Sequence, residues 1–234
     1  MGFKKSLPGL IVALLLASLA WPQVASAQRS SYNRGREHIA GQFDYFQLVL
    51  SWSPTHCADN SRGRNDTQCG LRRERPYAFV LHGLWPQYER GYPQNCRTAQ
   101  RPFVPNNVIN GILDIMPSRG LVIHEYRKHG TCSGLRPYDY FRVSRALFKR
   151  IKIPAIYRQP KKVLFTMPND LALQFARINP GLKPAMIKVV CKRGPANKLR
   201  EIRICISRKG TFRPCGGRAR HQCAQRKIFI PPVR

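Results

Sequence analysis

Apolar and aromatic positions dominate residues 43–52, Phe-Asp-Tyr-Phe-Gln-Leu-Val-Leu-Ser-Trp, and Pro54 follows at once. Such a run predicts a β-strand with at least one buried face. A second, almost unbroken apolar run over residues 77–85 predicts another strand, stopped by Pro86, with His82 embedded in it. The polar stretch 60–76, with five arginines, reads as a loop between them. Leu121-Val122-Ile123 leads into His124-Glu125-Tyr126-Arg127-Lys128-His129, and Gly130 ends the segment as a C-terminal glycine ends a helix. Two amphipathic helices are predicted over residues 138–151 and 169–178, the second with Asn169 as N-cap, and a short one over 110–117. Residues 185–192 and 199–207 read as strands. In the second, Ile202, Ile204 and Ile206 alternate with Arg203 and Cys205, the period of two that one buried face requires. Residues 228–230 complete the pattern with a short strand. Strands and helices come in blocks rather than strict alternation, so the expected fold class is α+β. The expectation is a single domain with a central, mainly antiparallel sheet packed by several helices.

The pattern differs at the N-terminus. Lys4 and Lys5 precede an apolar stretch over residues 10–21, and Ala25-Ser26-Ala27 follows. That is the layout of a secretory signal peptide over residues 1–27, and the stretch is shorter than the ~20 residues needed to cross a hydrocarbon layer. Residues 28–41 are a polar, arginine-bearing lead-in, expected to be flexible, and residues 42–234 form the folded domain. No later segment is apolar enough to span a membrane. The expected product is secreted or periplasmic, and monomeric.

Charge narrows the partners. Across 234 residues, 41 Lys+Arg face 11 Asp+Glu, a formal charge of +30, while 43% hydrophobic residues still permit a real core. Disorder of the low-hydrophobicity kind is excluded. A surface this basic attracts polyanions whatever their sequence. Residues 183–234 alone hold 15 Lys+Arg and one acid, Glu201. All eight cysteines lie beyond the signal segment, and none forms a C-x-x-C pair. Export and an even count favour four disulfides over a metal site.

The chemistry gathers in two clusters, His82-Gly83-Leu84-Trp85-Pro86 and His124-Glu125-Tyr126-Arg127-Lys128-His129-Gly130-Thr131-Cys132. On a helix of ~100° per residue, His124, Lys128, Glu125 and His129 fall at about 0°, 40°, 100° and 140°, and Tyr126 points away at about 200°. A zinc-protease reading fails. Two histidines on one metal need i and i+4, and Lys128 occupies that place. Cleavage of RNA without a metal would use the whole set. One imidazole takes the 2′-hydroxyl proton while another protonates the departing 5′-oxygen, and an ammonium such as Lys128 stabilises the phosphorane more than the substrate.

At these two clusters the sequence resembles the ribonuclease T-two family, whose strand motif is His82-Gly83-Leu84-Trp85-Pro86 and whose helix motif is His124 to Cys132, with Tyr126 in place of a tryptophan. The resemblance implies that His129 is the general base, His82 the general acid, and that His124 holds the phosphate. Glu125 and Lys128 would stabilise the phosphorane, and Trp85 would contact a base. It also implies the pairings Cys96 with Cys132, Cys191 with Cys223 and Cys205 with Cys215, leaving Cys57 with Cys69. No cofactor and no metal are implied, and the partner is RNA. The competing reading is a basic polyanion-binding protein on the same fold, without turnover.

Overall fold

The computed structural model describes residues 1–2, 38–59, 67–70, 76–99, 102–194, 196–217, 221–224 and 226–234. The expected signal peptide beyond its first two residues, the expected lead-in up to residue 37 and most of the 60–76 loop lie outside the described residues. The architecture below is that of the unit Arg36–Arg234.

Strand β1 (Tyr45–Trp52) is the spine of a four-stranded antiparallel sheet. It pairs on one side with β2 (Phe79–Gln87) and on the other with β5 (Leu199–Ser207), which in turn pairs with β4 (Ile187–Cys191). A smaller two-stranded sheet joins β3 (Leu164–Thr166) to β6 (Ile228–Ile230). The expected α+β class with a central antiparallel sheet is present. Strand β2 does not stop at Pro86, which pairs with Phe46 and is followed by Gln87. A proline is tolerated there because β2 is an edge strand, with a pairing neighbour on one side only.

The two faces of the sheet divide by alternation. Phe46, Leu48, Leu50 and Trp52 of β1 are buried on the core face with Leu81 and Leu84 of β2 and Ile202, Ile204 and Ile206 of β5. On the other face, Cα pairing sets Gln47 beside Trp85 and Cys205, Val49 beside Gly83 and Arg203, and Ser51 beside Glu201. That second face carries the chemistry.

The helices follow local signals, with displaced boundaries. Helix α1 (Ser53–Asp59) starts directly where β1 ends, Pro54 sitting in its first turn. The helix expected over 110–117 lies earlier, as α2 (Asn106–Asn110), and turns follow it. Helix α3 (Arg119–Lys128) is capped by Ser118, whose side chain accepts from the Leu121 N–H. Helices α4 (Pro137–Arg150) and α5 (Pro168–Ile178) each begin on a proline. Asn169 is not the N-cap of α5. Met167 holds that place, and the Asn169 carboxamide oxygen binds His221 instead, 2.9 Å away. On the core side, the buried Tyr140 hydroxyl of α4 accepts from the Leu84 N–H at 3.2 Å and donates to the Leu84 carbonyl at 2.9 Å, fastening the helix to β2.

Gly130 does not end a helix by adopting a left-handed turn. The chain passes from α3 through His129 into a 3-10 turn, Gly130–Ser133, and the left-handed residue is Gly134, φ 76°. Glycine is required at 130 for space, because a Cβ would strike the Tyr126 ring. Tyr126 itself is buried among Tyr140 and Phe141, and its hydroxyl donates to the Leu135 carbonyl at 3.0 Å.

All four disulfides pair as the resemblance implied, Cys57–Cys69, Cys96–Cys132, Cys191–Cys223 and Cys205–Cys215. No described helix is long and apolar enough to cross a membrane.

Candidate active site

His82 is the extra residue of a β-bulge. Val49 of β1 faces Gly83 and the next residue, Leu50, faces Leu81, so nothing on β1 stands opposite His82. A bulge re-aims side chains on the strand that carries it. Leu81 and Leu84 stay in the core, while His82, Gly83 and Trp85 open onto the second face. The alternation of a regular strand would have sent position 82 inward with Leu84.

Two buried carboxylates hold this imidazole. Nδ1 of His82 lies 3.2 Å from Oε1 of Glu201, and Nε2 lies 3.5 Å from Oε1 of Glu125. Glu201, 1% exposed, is anchored by Arg203, whose Nε and Nη2 reach its Oε2 at 2.8 and 2.7 Å. Burial alone would push the His82 pKa down. The hydrogen bond to Glu201 and the fields of Glu125 and Glu201 outweigh it, and the net shift is upward. For Glu201 burial pushes up, and His82 with Arg203 more than reverses it, holding the carboxyl at about 2.

Glu125 of α3 reaches across the edge of the sheet. The Trp85 indole N–H donates to its Oε2 at 2.6 Å. Burial raises the Glu125 pKa against the pull of His82, Trp85 and Lys128. This contact needs glycine at 83, because a Cβ there would strike the Glu125 carboxylate and lie 2.6 Å from Trp85 Nε1.

His129 meets the other half of the site. It is the residue after α3, and its ring stacks on Trp85 with centroids 4.8 Å apart and planes 24° apart. His82 approaches the same indole edge-on at 5.2 Å. The two imidazoles therefore share one tryptophan as their spacer. Their electrostatic settings are opposite. Burial, followed by the charges of Lys128, His82, His124 and Arg203, lowers the His129 pKa to about 3. Its Nδ1 has no hydrogen-bond partner among the described residues. Tyr92 stands near it, 6.4 Å between ring centroids.

His124 is exposed and Lys128 half-buried. Both act on His129 through their fields, and burial, Lys128 and His82 lower the pKa of His124. The sheet–helix arrangement thus brings His82, Trp85, Glu125 and His129 into one cluster, with Lys128 and His124 near enough for their charges to act on His129. The Trp85 ring also carries the Arg203 guanidinium, 4.8 Å from its centroid. Much of this indole is therefore engaged by the protein itself.

Sequence reasoning missed Glu201, Arg203 and Tyr92. Glu201 did leave a signal. It is the one acid among residues 183–234, and it lies inside a strand otherwise rich in isoleucine and arginine. A lone carboxylate in a strand is buried only if partners await it. Close to His129, Cys96–Cys132 ties the chain after β2 to the turn that follows it, and the Asn95 N–H donates to the Lys128 carbonyl at 2.8 Å.

Known proteins share the sequence and the fold. The ribonuclease T2 family model matches residues 43–215. A ribonuclease of Aeromonas hydrophila is 40% identical over 143 residues, 61% of this chain and 60% of that protein. Ribonuclease DdI of Dictyostelium discoideum is 30% identical over 159 residues, 62% and 65% of the two chains. The chain thus spans about three fifths of the length of these relatives. Among solved structures, ribonuclease MC1 from the seeds of bitter gourd aligns with a TM-score of 0.60 at 20% identity, over 80% of this chain and 99% of that one. RNase NT in complex with 5′-AMP aligns with a TM-score of 0.56 at 23% identity, over 82% and 99%. These two likenesses show a shared fold. With the family match spanning both motifs and most of the sheet, the chain belongs to the ribonuclease T2 family.

Proposed function

We propose that this chain is an endoribonuclease that cleaves single-stranded RNA by transphosphorylation, through 2′,3′-cyclic phosphate intermediates and with low base specificity. One observation carries the reading. Two imidazoles pack on one indole, His82 between two buried carboxylates and His129 among cations, with no carboxylate partner among the described residues. An acid–base reaction needs this difference, because one group must start charged and the other neutral.

His129 is the general base, kept neutral by burial and its cationic neighbours, and it accepts the 2′-hydroxyl proton. His82 is the general acid. Glu201 fixes its Nδ1 and leaves the Nε2 proton for the departing 5′-oxygen. Lys128 places a positive charge beside the equatorial phosphorane oxygens, His124 holds the phosphate at the rim, and Glu125 can carry a proton to an oxygen because burial raises its pKa. Hydrolysis of the cyclic phosphate then runs with the two principal roles exchanged. Trp85 spaces the imidazoles and offers its remaining surface to a base. The nucleophile is the 2′-hydroxyl, so DNA is not a substrate. The same reading takes residues 1–27 as a signal peptide, 42–234 as the catalytic domain, and the product as a secreted or periplasmic monomer needing no metal.

End-group analysis of a short oligoribonucleotide, incubated in excess chelator, tests the proposal. The expected products carry 2′,3′-cyclic phosphates. Loss of cleavage on chelation overturns the metal-free mechanism. Equal retention of RNA and DNA without cleavage would make the chain a polyanion-binding protein instead.

A further inference from the structure

Among the described residues, exposed large apolar side chains gather in one stretch of chain, at Ile156, Val163, Phe165, Met167, Leu173 and Ile178. Three of them, Phe165 at 58% exposure, Met167 at 48% and Leu173 at 41%, line a single open hollow of about 490 Å³. Its walls are β3, α5 and the residues just before β6. Helix α5 turns Leu171, Ala172 and Phe175 into the core. Its outward side repeats at three- and four-residue spacing as Asp170, Leu173, Gln174 and Arg177, so Leu173 is an apolar residue on a face the core does not use. Cations surround these side chains. Arg177, Arg226 and Lys227 line the hollow and are exposed, against one lining carboxylate, Asp170. The Lys227 ammonium lies 4.8 Å from the centroid of the Phe165 ring. Phe165 meets Phe229 of β6 edge-on at 5.6 Å, and Phe229 lines a second hollow of about 460 Å³ with Val163 and Lys198. The β3–β6 sheet thus carries an apolar surface with cations on both flanks. None of His82, Trp85, Glu125 and His129 lines either hollow.

We infer that this face docks on an anionic lipid surface, with Phe165, Met167 and Leu173 entering the headgroup layer and Arg177, Arg226 and Lys227 meeting lipid phosphates. Contiguous apolar side chains left in water on a protein surface mark a contact site. Aliphatic residues set among long cations match a lipid interface, which offers hydrocarbon just beneath a layer of negative charge. The stems of Lys and Arg are long enough to keep their charges in that layer while the apolar residues sink. An RNA strand fits this face less well. Its phosphates would use the cations, but Met167 and Leu173 give a base nothing to hydrogen-bond. Phe165 already has an ammonium over its ring and a phenyl against it, which reduces the surface left for stacking. The attachment uses no group of the proposed acid–base chemistry and holds whether or not the chain cleaves RNA.

Co-sedimentation with vesicles tests the inference, using phosphatidylglycerol mixed with phosphatidylcholine and phosphatidylcholine alone. The unaltered full chain is compared with Phe165→Ser/Leu173→Ser and Arg177→Gln/Lys227→Gln. Lys149→Gln/Lys209→Gln is the charge-matched control. Both of its lysines are exposed near the turn after β5, where Arg150 donates to the Gly210 carbonyl, at the opposite end of that strand from Lys198. All four proteins carry the same N-terminal residues, so a contribution from the apolar stretch 10–21 is common to them. Binding to the anionic vesicles should fall at least about tenfold in each face variant and less than about twofold in the control, with weak binding to neutral vesicles throughout. RNA cleavage by Phe165→Ser/Leu173→Ser should be unchanged. Where circular dichroism shows that this variant does not fold, Leu173→Gln, at an exposed helix position, should still lose about threefold. Equal losses in the control and the face variants, or no loss in the apolar variant, would mean that overall charge does the binding, and overturns the inference. Intact vesicle binding with lost affinity for a 2′-deoxy oligonucleotide in the apolar variant also overturns it and makes the face a nucleic-acid contact.

Discussion

Nδ1 of His82 lies 3.2 Å from Oε1 of Glu201, a buried carboxylate on β5 gripped twice by Arg203. Through this contact the protein sets both the tautomer and the charge of its proposed general acid. Glu201 acts through His82 and is a positioning residue.

Replacing Glu201 with Gln should therefore lower the His82 pKa. The limb of the pH–rate profile that reports a group needing its proton should move to lower pH, with kcat near neutrality reduced by ~10²-fold and partly recovered in acid. A merely structural role would lower activity without moving the limb. Stability carries a matching signature. Because the folded pKa is raised, the stabilisation from this pair is complete below the ordinary histidine value of ~6.5 and is lost as pH rises through the folded value. The melting difference between Glu201→Gln and the unaltered protein should shrink as pH rises.

His129 should show the opposite behaviour. Its pKa is lowered to about 3, so it stays neutral through mildly acidic solution. Activity should persist on the acid side and decline only as pH approaches that value. His129→Ala and His82→Ala should each cost at least ~10²-fold in kcat while binding of a 2′-deoxy oligonucleotide is retained. Parallel loss of binding would count against both roles.

Gly83→Ala tests the packing between β2 and α3. The new methyl strikes the Glu125 carboxylate and crowds the Trp85 N–H. A loss of about 1–3 kcal/mol is expected from overpacking, with a folded far-ultraviolet spectrum and a changed tryptophan emission. An unchanged melting temperature would mean that Glu125 relaxes without cost.

Trp85→Phe separates two uses of the indole. Phenylalanine keeps a ring for His129 and for a base but cannot donate to Glu125, a bond to a buried carboxylate of the kind worth ~1.5–3 kcal/mol. The expected loss is in kcat, ~10-fold or more, with KM little changed. A rise in KM alone would favour base contact as the main role.

Removing the Cys96–Cys132 bridge by paired serine substitution should lower stability by about 2–4 kcal/mol. The bridge joins the chain after β2 to the turn that follows His129. Activity should fall further than stability predicts at temperatures where the protein remains folded, measured as kcat against melting curves.

Much was legible in the chain before any coordinates. Period-two alternation placed Ile202, Ile204 and Ile206 on a buried face, and continuous apolar runs marked β1 and β2. Short-range information suffices there because alternation is a property of consecutive residues. The two histidine clusters and the type of chemistry they could perform were equally local. Tertiary structure decided what depends on residues distant in the chain. The bulge at His82 exists only because β1 pairs in two registers, and Glu201 becomes a partner of His82 only because β5 lies on the far side of β1 from β2. Buried carboxylates then raised the pKa of one imidazole, while burial and neighbouring cations lowered that of the other. No spacing along a chain encodes such a difference, because a pKa answers to every charge and every displaced water around the folded group.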